Sequence, residues 1–314
     1  MQPALDVIFT TDGEKLVAAV GDAVVVYAAI DGTFIRCLKG HKLKALCLSP
    51  LLGGGFASGG ADKQVIIWNK DLEGILKFSH SDTIQSLSQN SVTGALLSCS
   101  ASDFGLWTTE VKAVNKVKVS NKIVSSSWTA DGSCFALGFY NGSVSIRSPS
   151  GDETFKINRS DDSPVWSLAW TLTKLKNHVL VISDWNKTLS FVDLDGNPVE
   201  NDQNLAFDPL CVANFKKYLL ISGSNKQTTL YTKYGVKIGT ISSNSGWVWA
   251  CCGHGTLDYI ASASQDGTIS VHQVKIADLF AIAGDFSVAR DSMTNIEICH
   301  IPSNKRVFFC STRF

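Results

Sequence analysis

One register recurs through the 314 residues and limits the fold more than any other feature of the chain. An Asp or Asn leads a short β-branched or aromatic run: Asp22 to Tyr27, Asp62 to Trp68, Asp103 to Trp107, Asn141 to Arg147, Asn186 to Val192, Asn225 to Tyr231 and Asp266 to His272. The closing positions stand 41, 39, 40, 45, 39 and 41 residues apart. A period near forty with four strand-like runs per unit marks a β-propeller. The expected fold is all-β, seven blades that are each a four-stranded antiparallel sheet.

Each unit divides alike. In the second, Leu43 to Leu48, Phe56 to Gly59, Val65 to Trp68 and Gly74 to Phe78 read as strands separated by turn residues. Asp-Gly and Asn-Gly pairs at 12-13, 31-32, 131-132, 141-142, 195-196 and 266-267 supply the positive φ that tight hairpins need. The blades are expected at 4–38, 43–78, 84–119, 123–157, 165–207, 210–241 and 247–301. One blade cannot bury both faces of its sheet, so blades must stack around an axis. The chain starts almost at the first inner strand, Leu5 to Phe9, and leaves no N-terminal strand for blade seven. Its outer strand is then expected from the tail, at Leu279 to Val288 or Ile296 to Ile301, with 302–314 beginning a link to a following domain.

Composition excludes several functions. Lys plus Arg equals Asp plus Glu at 28 each, so no net field draws the chain to nucleic acid or anionic lipid. Lys112, Lys116, Lys118 and Lys122 alternate as the wet face of an outer strand would. Nine cysteines, an odd number, sit largely in apolar runs such as those of Cys37, Cys47, Cys99 and Cys134, and read as free buried thiols of a reducing compartment. With no signal-peptide pattern or long apolar span, a cytosolic chain is expected. The sequons at Asn141, Asn158 and Asn186 would then be idle.

Signals of chemistry fail one by one. Gly55 and Gly60 have phosphate-loop spacing, but Ala61 and Asp62 follow and a strand replaces the helix. Asp103-Phe104-Gly105 lacks the other kinase motifs. Cys251-Cys252-Gly253-His254 would place neighbouring side chains on opposite faces of a strand, with no second ligand pair for zinc. Asp161 and Asp162 with Arg159 are the best glycosidase-like cluster, and adjacent loop charges are ordinarily solvated. His41, Ser58 and Asp62 are the residue types of a hydrolase triad, but Phe56 stands where a nucleophile elbow needs Gly. Trp166, Trp170, Trp247 and Trp249, evenly spaced, read as core or blade-interface residues, an aromatic peptide groove at the rim being the alternative. No catalytic, cofactor or metal site is expected.

Gly40-His41, Ser58, Asp62 and Trp68 resemble the tetrad of WD40 repeats, a structural hydrogen-bond network rather than a triad. His80, Asp103 and Trp107 form a partial copy in blade three, and later blades replace the Trp. A narrower resemblance lies in "LEGILKFSHSDTIQSLS", "SCSASDFGLW", "LAFDPLC", "SGWVWAC" and "RDSMTNIEICH". These are similar to the N-terminal propellers of the intraflagellar transport protein 122 family, core subunits of the IFT-A particle, from about Leu5 onward. The compact stretch between Trp170 and Val179 departs from the long acidic insertion of animal members.

The resemblance implies a longer protein, with a second propeller and a helical-repeat region, of which this chain would be the first domain. It also implies a non-enzymatic scaffold in cytoplasm and cilium or flagellum, at axoneme and basal body. That scaffold would act in retrograde transport with dynein-2, cilium assembly and ciliary entry of membrane proteins. Its partners would be other IFT-A subunits and cargo or adaptor proteins, with no nucleic acid, no small-molecule substrate and at most indirect membrane contact. A vesicle-coat subunit, built from similar propellers, is the alternative. The partner-binding residues are not readable from the sequence.

Overall fold

The computed structural model describes residues 2–108, 116–159, 162–173, 177–254, 256–275, 279–290, 295–300, 302–303 and 305–311. They fall into two compact units, Met1–Gln273 and Val274–Phe314. The first is a seven-bladed β-propeller, and no helix occurs among the described residues. Blade two runs Ala45–Pro50, Phe56–Gly60, Gln64–Trp68 and Gly74–Ser79, each strand pairing antiparallel with the next. The other inner strands are Ala4–Phe9, Ile84–Gln89, Ile123–Trp128, Val165–Leu172, Pro209–Phe215 and Val248–Gly253.

Burial is deepest in the second strands and least in the outer ones. The second strand of blade two is wholly buried, whereas its outer strand Gly74–Ser79 is almost wholly exposed. The core is accordingly a series of wedges, each shared by two blades. Val24, Val26 and Leu38 of blade one pack with Leu48, Phe56 and Ile66 of blade two. The ring closes the same way: Ala4, Val7 and Phe9 of blade one share a wedge with Ala250, Ala261 and Ala263 of blade seven. Phe9 also meets the His254 ring edge-on at 5.9 Å.

All six expected Gly turns have positive φ, at Gly13, Gly32, Gly132, Gly142, Gly196 and Gly267. Three equivalent turns carry lysine instead: Lys63, Lys187 and Lys226 sit at φ 65, 62 and 63°. In blades two to seven the residue after the second strand donates its N–H to a carbonyl just before the same blade's inner strand. The pairs include Ala61 to Lys44, Tyr140 to Lys122, Trp185 to Pro164, Ser224 to Asp208 and Gln265 to Trp247. This clamp brings the second-to-third-strand turn of each of these blades beside the loop entering it, so both kinds of loop share one face of the ring.

Every inner strand carries a register shift one residue after its start. Such a bulge leaves one residue unpaired and re-aims its side chain. The skipped residues are Leu5, Leu46, Gln85, Val124, Trp166, Leu210 and Trp249, and all seven line one axial cavity of about 410 Å³. In five blades the residue after the skip ties blade to blade. Asp6 Oδ2 accepts from Leu48 N (2.7 Å), Ser125 Oγ donates to Val165 O (2.8 Å) and Ser167 Oγ accepts from Val212 N (2.9 Å).

Blade seven differs from expectation. Its described strands are three, Val248–Gly253, Tyr259–Ser264 and Ile269–Gln273. The stretches expected to complete it belong to the second unit, a four-stranded meander of Leu279–Ala283, Phe286–Arg290, Asn295–His300 and Lys305–Ser311. Gly284, at φ 59°, breaks the expected strand 279–288 into a hairpin, so it pairs with itself. Ile301, which ends the other candidate, lies outside the described residues.

Two further readings change. Cys47, Cys99 and Cys134 are buried thiols, but Cys37 is exposed because it lies on the outer strand Phe34–Lys39. Lys116 and Lys118 do lie on an exposed outer strand, Lys116–Lys118, and Lys122 sits over the Tyr140 ring at 5.4 Å. Lys112 lies outside the described residues.

Candidate functional site

The four residues of the tetrad, drawn from a loop, a turn and two strands of blade two, meet inside the sheet. Trp68 Nε1 donates to Ser58 Oγ (2.9 Å), Ser58 Oγ stands 2.8 Å from His41 Nε2, and His41 Nδ1 stands 2.9 Å from Asp62 Oδ1. A neutral imidazole satisfies every member at once: Trp68 gives to Ser58, Ser58 gives to Nε2, and Nδ1–H gives to Asp62. Burial works to raise the Asp62 carboxyl. The Lys42 N–H at 2.9 Å, the His41 ring and the Gln64 N–H outweigh it and hold the carboxyl below its usual value. Ser58 is fully buried and its proton is committed to the ring, which leaves it no open side from which to attack a substrate.

Blade three repeats the network with a member the motif search missed. His80 joins Asp103 through Nδ1 and Ser98 through Nε2 (2.9 Å), so Ser98 takes the place of Ser58 forty residues on. The forty-residue register alone would have found it. Burial presses the His80 pKa below its ordinary 6.5, against the pull of Asp103. Asp103 also accepts from Ser81 and Ser100, which overcome burial and keep it ionised to lower pH. The Trp107 indole stacks on Phe78.

The other candidates disperse. Arg159 pairs at 2.6 Å with buried Asp184 rather than with Asp162, which is exposed; Asp161 lies outside the described residues. Cys251 is buried, with its carbonyl near Cys211 Sγ, while His254 Nδ1 accepts from Leu257 N (3.1 Å). Among the described residues no three His, Cys, Asp or Glu side chains gather as metal ligands. No helix of the described residues is long and apolar enough to cross a membrane.

The tryptophans separate into two classes. Trp68, Trp107, Trp128 and Trp170 are buried. The other four form two pairs on the clamped face. Trp166 and Trp185 stack with ring centres 4.6 Å apart, and Trp247 and Trp249 are tilted at 5.9 Å. Trp185 is 40% exposed and Trp247 43%, so the expectation of core packing for Trp247 is overturned. It precedes the strand Val248–Gly253 instead of lying on it.

A family profile described as the IFT122 first beta-propeller matches residues 3–273, nearly the whole propeller unit. The chain belongs to that family. It is 45% identical over 98% of its length to the intraflagellar transport protein 122 homolog of Xenopus tropicalis, and 44% over 96% to those of Danio rerio and Mus musculus. It spans about a quarter (26%) of the length of each of these relatives. Among solved structures, the Cps50 (Swd1) β-propeller domain of Myceliophteria thermophila superposes with a TM-score of 0.73. That comparison covers 88% of this chain and 97% of the other at 15% identity, a likeness of fold alone. In this propeller, among the described residues, blades two and three hold the bonded His–Ser–Asp networks. Blades five and seven hold the exposed aromatic pairs.

Proposed function

We propose that this propeller is a non-catalytic docking module of an IFT-A subunit, serving retrograde ciliary transport, cilium assembly and the entry of membrane proteins into the cilium. The observation that carries the reading is the family match across residues 3–273. The internal polar groups agree with it. In blades two and three the His, Ser and Asp groups that could do chemistry are bonded to one another within the sheets, and a reactive site needs such groups turned toward a substrate. A rigid ring stitched by blade-to-blade hydrogen bonds offers partners a surface with little ordering cost. Other IFT-A subunits, with cargo or adaptor proteins, are the partners this implies, and the cytoplasm, basal body and axoneme are the places.

The test is affinity purification of the tagged full-length protein from ciliated cells, with quantitative mass spectrometry. IFT-A subunits are expected at near-stoichiometric recovery. Recovery of vesicle-coat subunits without IFT-A subunits overturns the proposal.

A further inference from the structure

The residues that the bulges turn into the axial cavity are aliphatic or amide in five blades, but blades five and seven place tryptophan there. Trp166 stacks on Trp185, and Trp249, whose Nε1 donates to the Gln265 side chain, packs against Trp247. Large exposed aromatics on a rigid surface are the usual anchors of protein interfaces. An indole also presents a negative face, and of the aromatic rings it is the strongest partner for a cation.

The charge at this mouth has the sign that suits a cation. Among the described residues the cavity is lined by one charged side chain, Asp6, which follows the skipped Leu5. Its oxygens accept from Val7 N (2.8 Å) and Leu48 N (2.7 Å), both neutral donors. Around the mouth, blades five to seven add Asp162, Asp184, Asp208 and Asp266. Asp184 is paired with Arg159 at 2.6 Å. Asp208 accepts from Ser224 Oγ, and Asp266 from Ser245 N, Ser245 Oγ, Gly246 N and Thr268 N. Neutral donors stabilise a carboxylate's charge without cancelling it. Lys187 and Lys226 stand on turns of the same face, and neither lines the cavity. With Arg159 committed to Asp184, the carboxylates of Asp6, Asp162, Asp208 and Asp266 therefore outnumber these two lysines.

We infer that the axial mouth over blades five to seven takes an arginine side chain from an extended segment of a partner protein, its guanidinium against the Trp166 and Trp249 indoles and directed at the Asp6 carboxylate. This rests on the docking-module reading and names its surface. A planar guanidinium stacks on an indole while its edge still donates to a carboxylate, a combination that the compact lysine ammonium lacks. A membrane would meet a flat or convex patch, whereas a concave mouth suits an inserted side chain.

The test uses the purified 314-residue chain and a fluorescein-labelled heptapeptide, Ser-Gly-Leu-Arg-Leu-Gly-Ser, with versions carrying citrulline or glutamate for the arginine. Phosphatidylcholine vesicles, which present a cationic choline, are a further probe. By anisotropy the arginine peptide is expected to bind about tenfold more tightly than the citrulline one, and the glutamate one not at all. Trp249→Leu installs the residue that blades one, two and six carry at this position as Leu5, Leu46 and Leu210, so the fold should hold while binding falls about tenfold. Asp6→Asn should weaken binding about fivefold.

Asp6 also supplies a readout that packing alone would not move. Burial raises its carboxyl to about 7, and a cation pairs with the ionised form, so wild-type affinity should climb between about pH 6 and 8. Asp6→Asn should lose that slope. The strands packed against Asp6, Lys15–Val20, Ala45–Pro50, Val248–Gly253 and Tyr259–Ser264, carry no histidine and no other carboxylate. Their titratable groups are Lys15, Tyr259, the thiols of Cys47 and Cys252, which burial pushes up, and that of Cys251, which the Cys211 thiol and burial push up. Phe34→Ala, on the exposed outer strand of blade one, should change none of these results. Equal binding of the arginine and citrulline peptides, indifference to both Trp249→Leu and Asp6→Asn, a flat pH profile, or recruitment to vesicles without peptide binding overturns the inference. If the full-length protein still recovers IFT-A subunits in those cases, the docking reading survives while this surface does not.

Discussion

Removing the imidazole of His41 is the sharpest probe of how the propeller is held. In His41→Ala the fully buried Ser58 hydroxyl loses the acceptor of its proton, and Asp62 Oδ1 loses a donor. An unsatisfied buried group costs about 1–3 kcal/mol. The loss is bounded, because Asp62 keeps the N–H groups of Lys42 and Gln64 and Ser58 still accepts from Trp68. The destabilisation should therefore be about 2–3 kcal/mol, and for a domain of this size Tm should fall by roughly 4–5 °C. Differential scanning calorimetry of wild type, His41→Ala, Ser58→Ala and the double variant measures it. The double variant should cost less than the sum of the singles by about 1 kcal/mol, since each single strands the other's partner. An unchanged Tm for His41→Ala, or strict additivity across the cycle, refutes the network.

Three further outcomes follow from the same geometry. In Gly60→Ala the new Cβ would lie 2.6 Å from both Asp62 Oδ1 and His41 Nδ1, so it should lower Tm by several degrees, while Gly239→Ala, with nothing within 4 Å, should leave it unchanged. Because burial lowers the His80 pKa, the unfolded chain binds more protons there below about pH 6.5, and stability should fall on acidification through that range. Asp6, raised to about 7 by burial, acts in the opposite direction: the folded state binds its proton more tightly, and its contribution declines as pH rises from about 4 to 7. The His80 effect should therefore be read as the difference between wild type and His80→Gln in urea melts at pH 5.5 and 7.5; equal pH slopes would contradict it. Iodoacetamide at pH 7.5 should label exposed Cys37 first. Cys99, pushed up to about 12 by burial, and buried Cys47 should stay unmodified until the chain unfolds, as peptide mass spectrometry can read.

Much of the architecture was legible because the chain repeats and its turns obey local sterics. Asp-Gly and Asn-Gly pairs predicted six left-handed turns, and those residues adopt them. Asp62-Lys63, Asn186-Lys187 and Asn225-Lys226 make the same turn without glycine, so only their place in the register could have revealed it. The bulges were invisible, as no common residue marks them: the skipped positions are Leu, Gln, Val or Trp, and Pro209 precedes one of them alone. They decide which side chains face the axis, and so Trp166 and Trp249 could be read by even spacing as interface residues when the skipped position turns them into the mouth. Ser98 belongs to no motif of its own, and only its place one period after Ser58 marks it as the partner of His80. The tail was misjudged because apolar alternation shows that strands form without showing which strand they pair with.

The wedge shared by blades one and seven has a consequence for the linear order of the chain. Since Ala4 and Ala263 pack in one cluster, the beginning and end of the propeller's path are neighbours in space. A short covalent bridge from the end of blade seven to residue 3, with the backbone opened at the exposed turn of Asn69–Asp71, would preserve every wedge while changing which blade leaves the ribosome first. Where synthesis starts is thus incidental to what holds the ring shut.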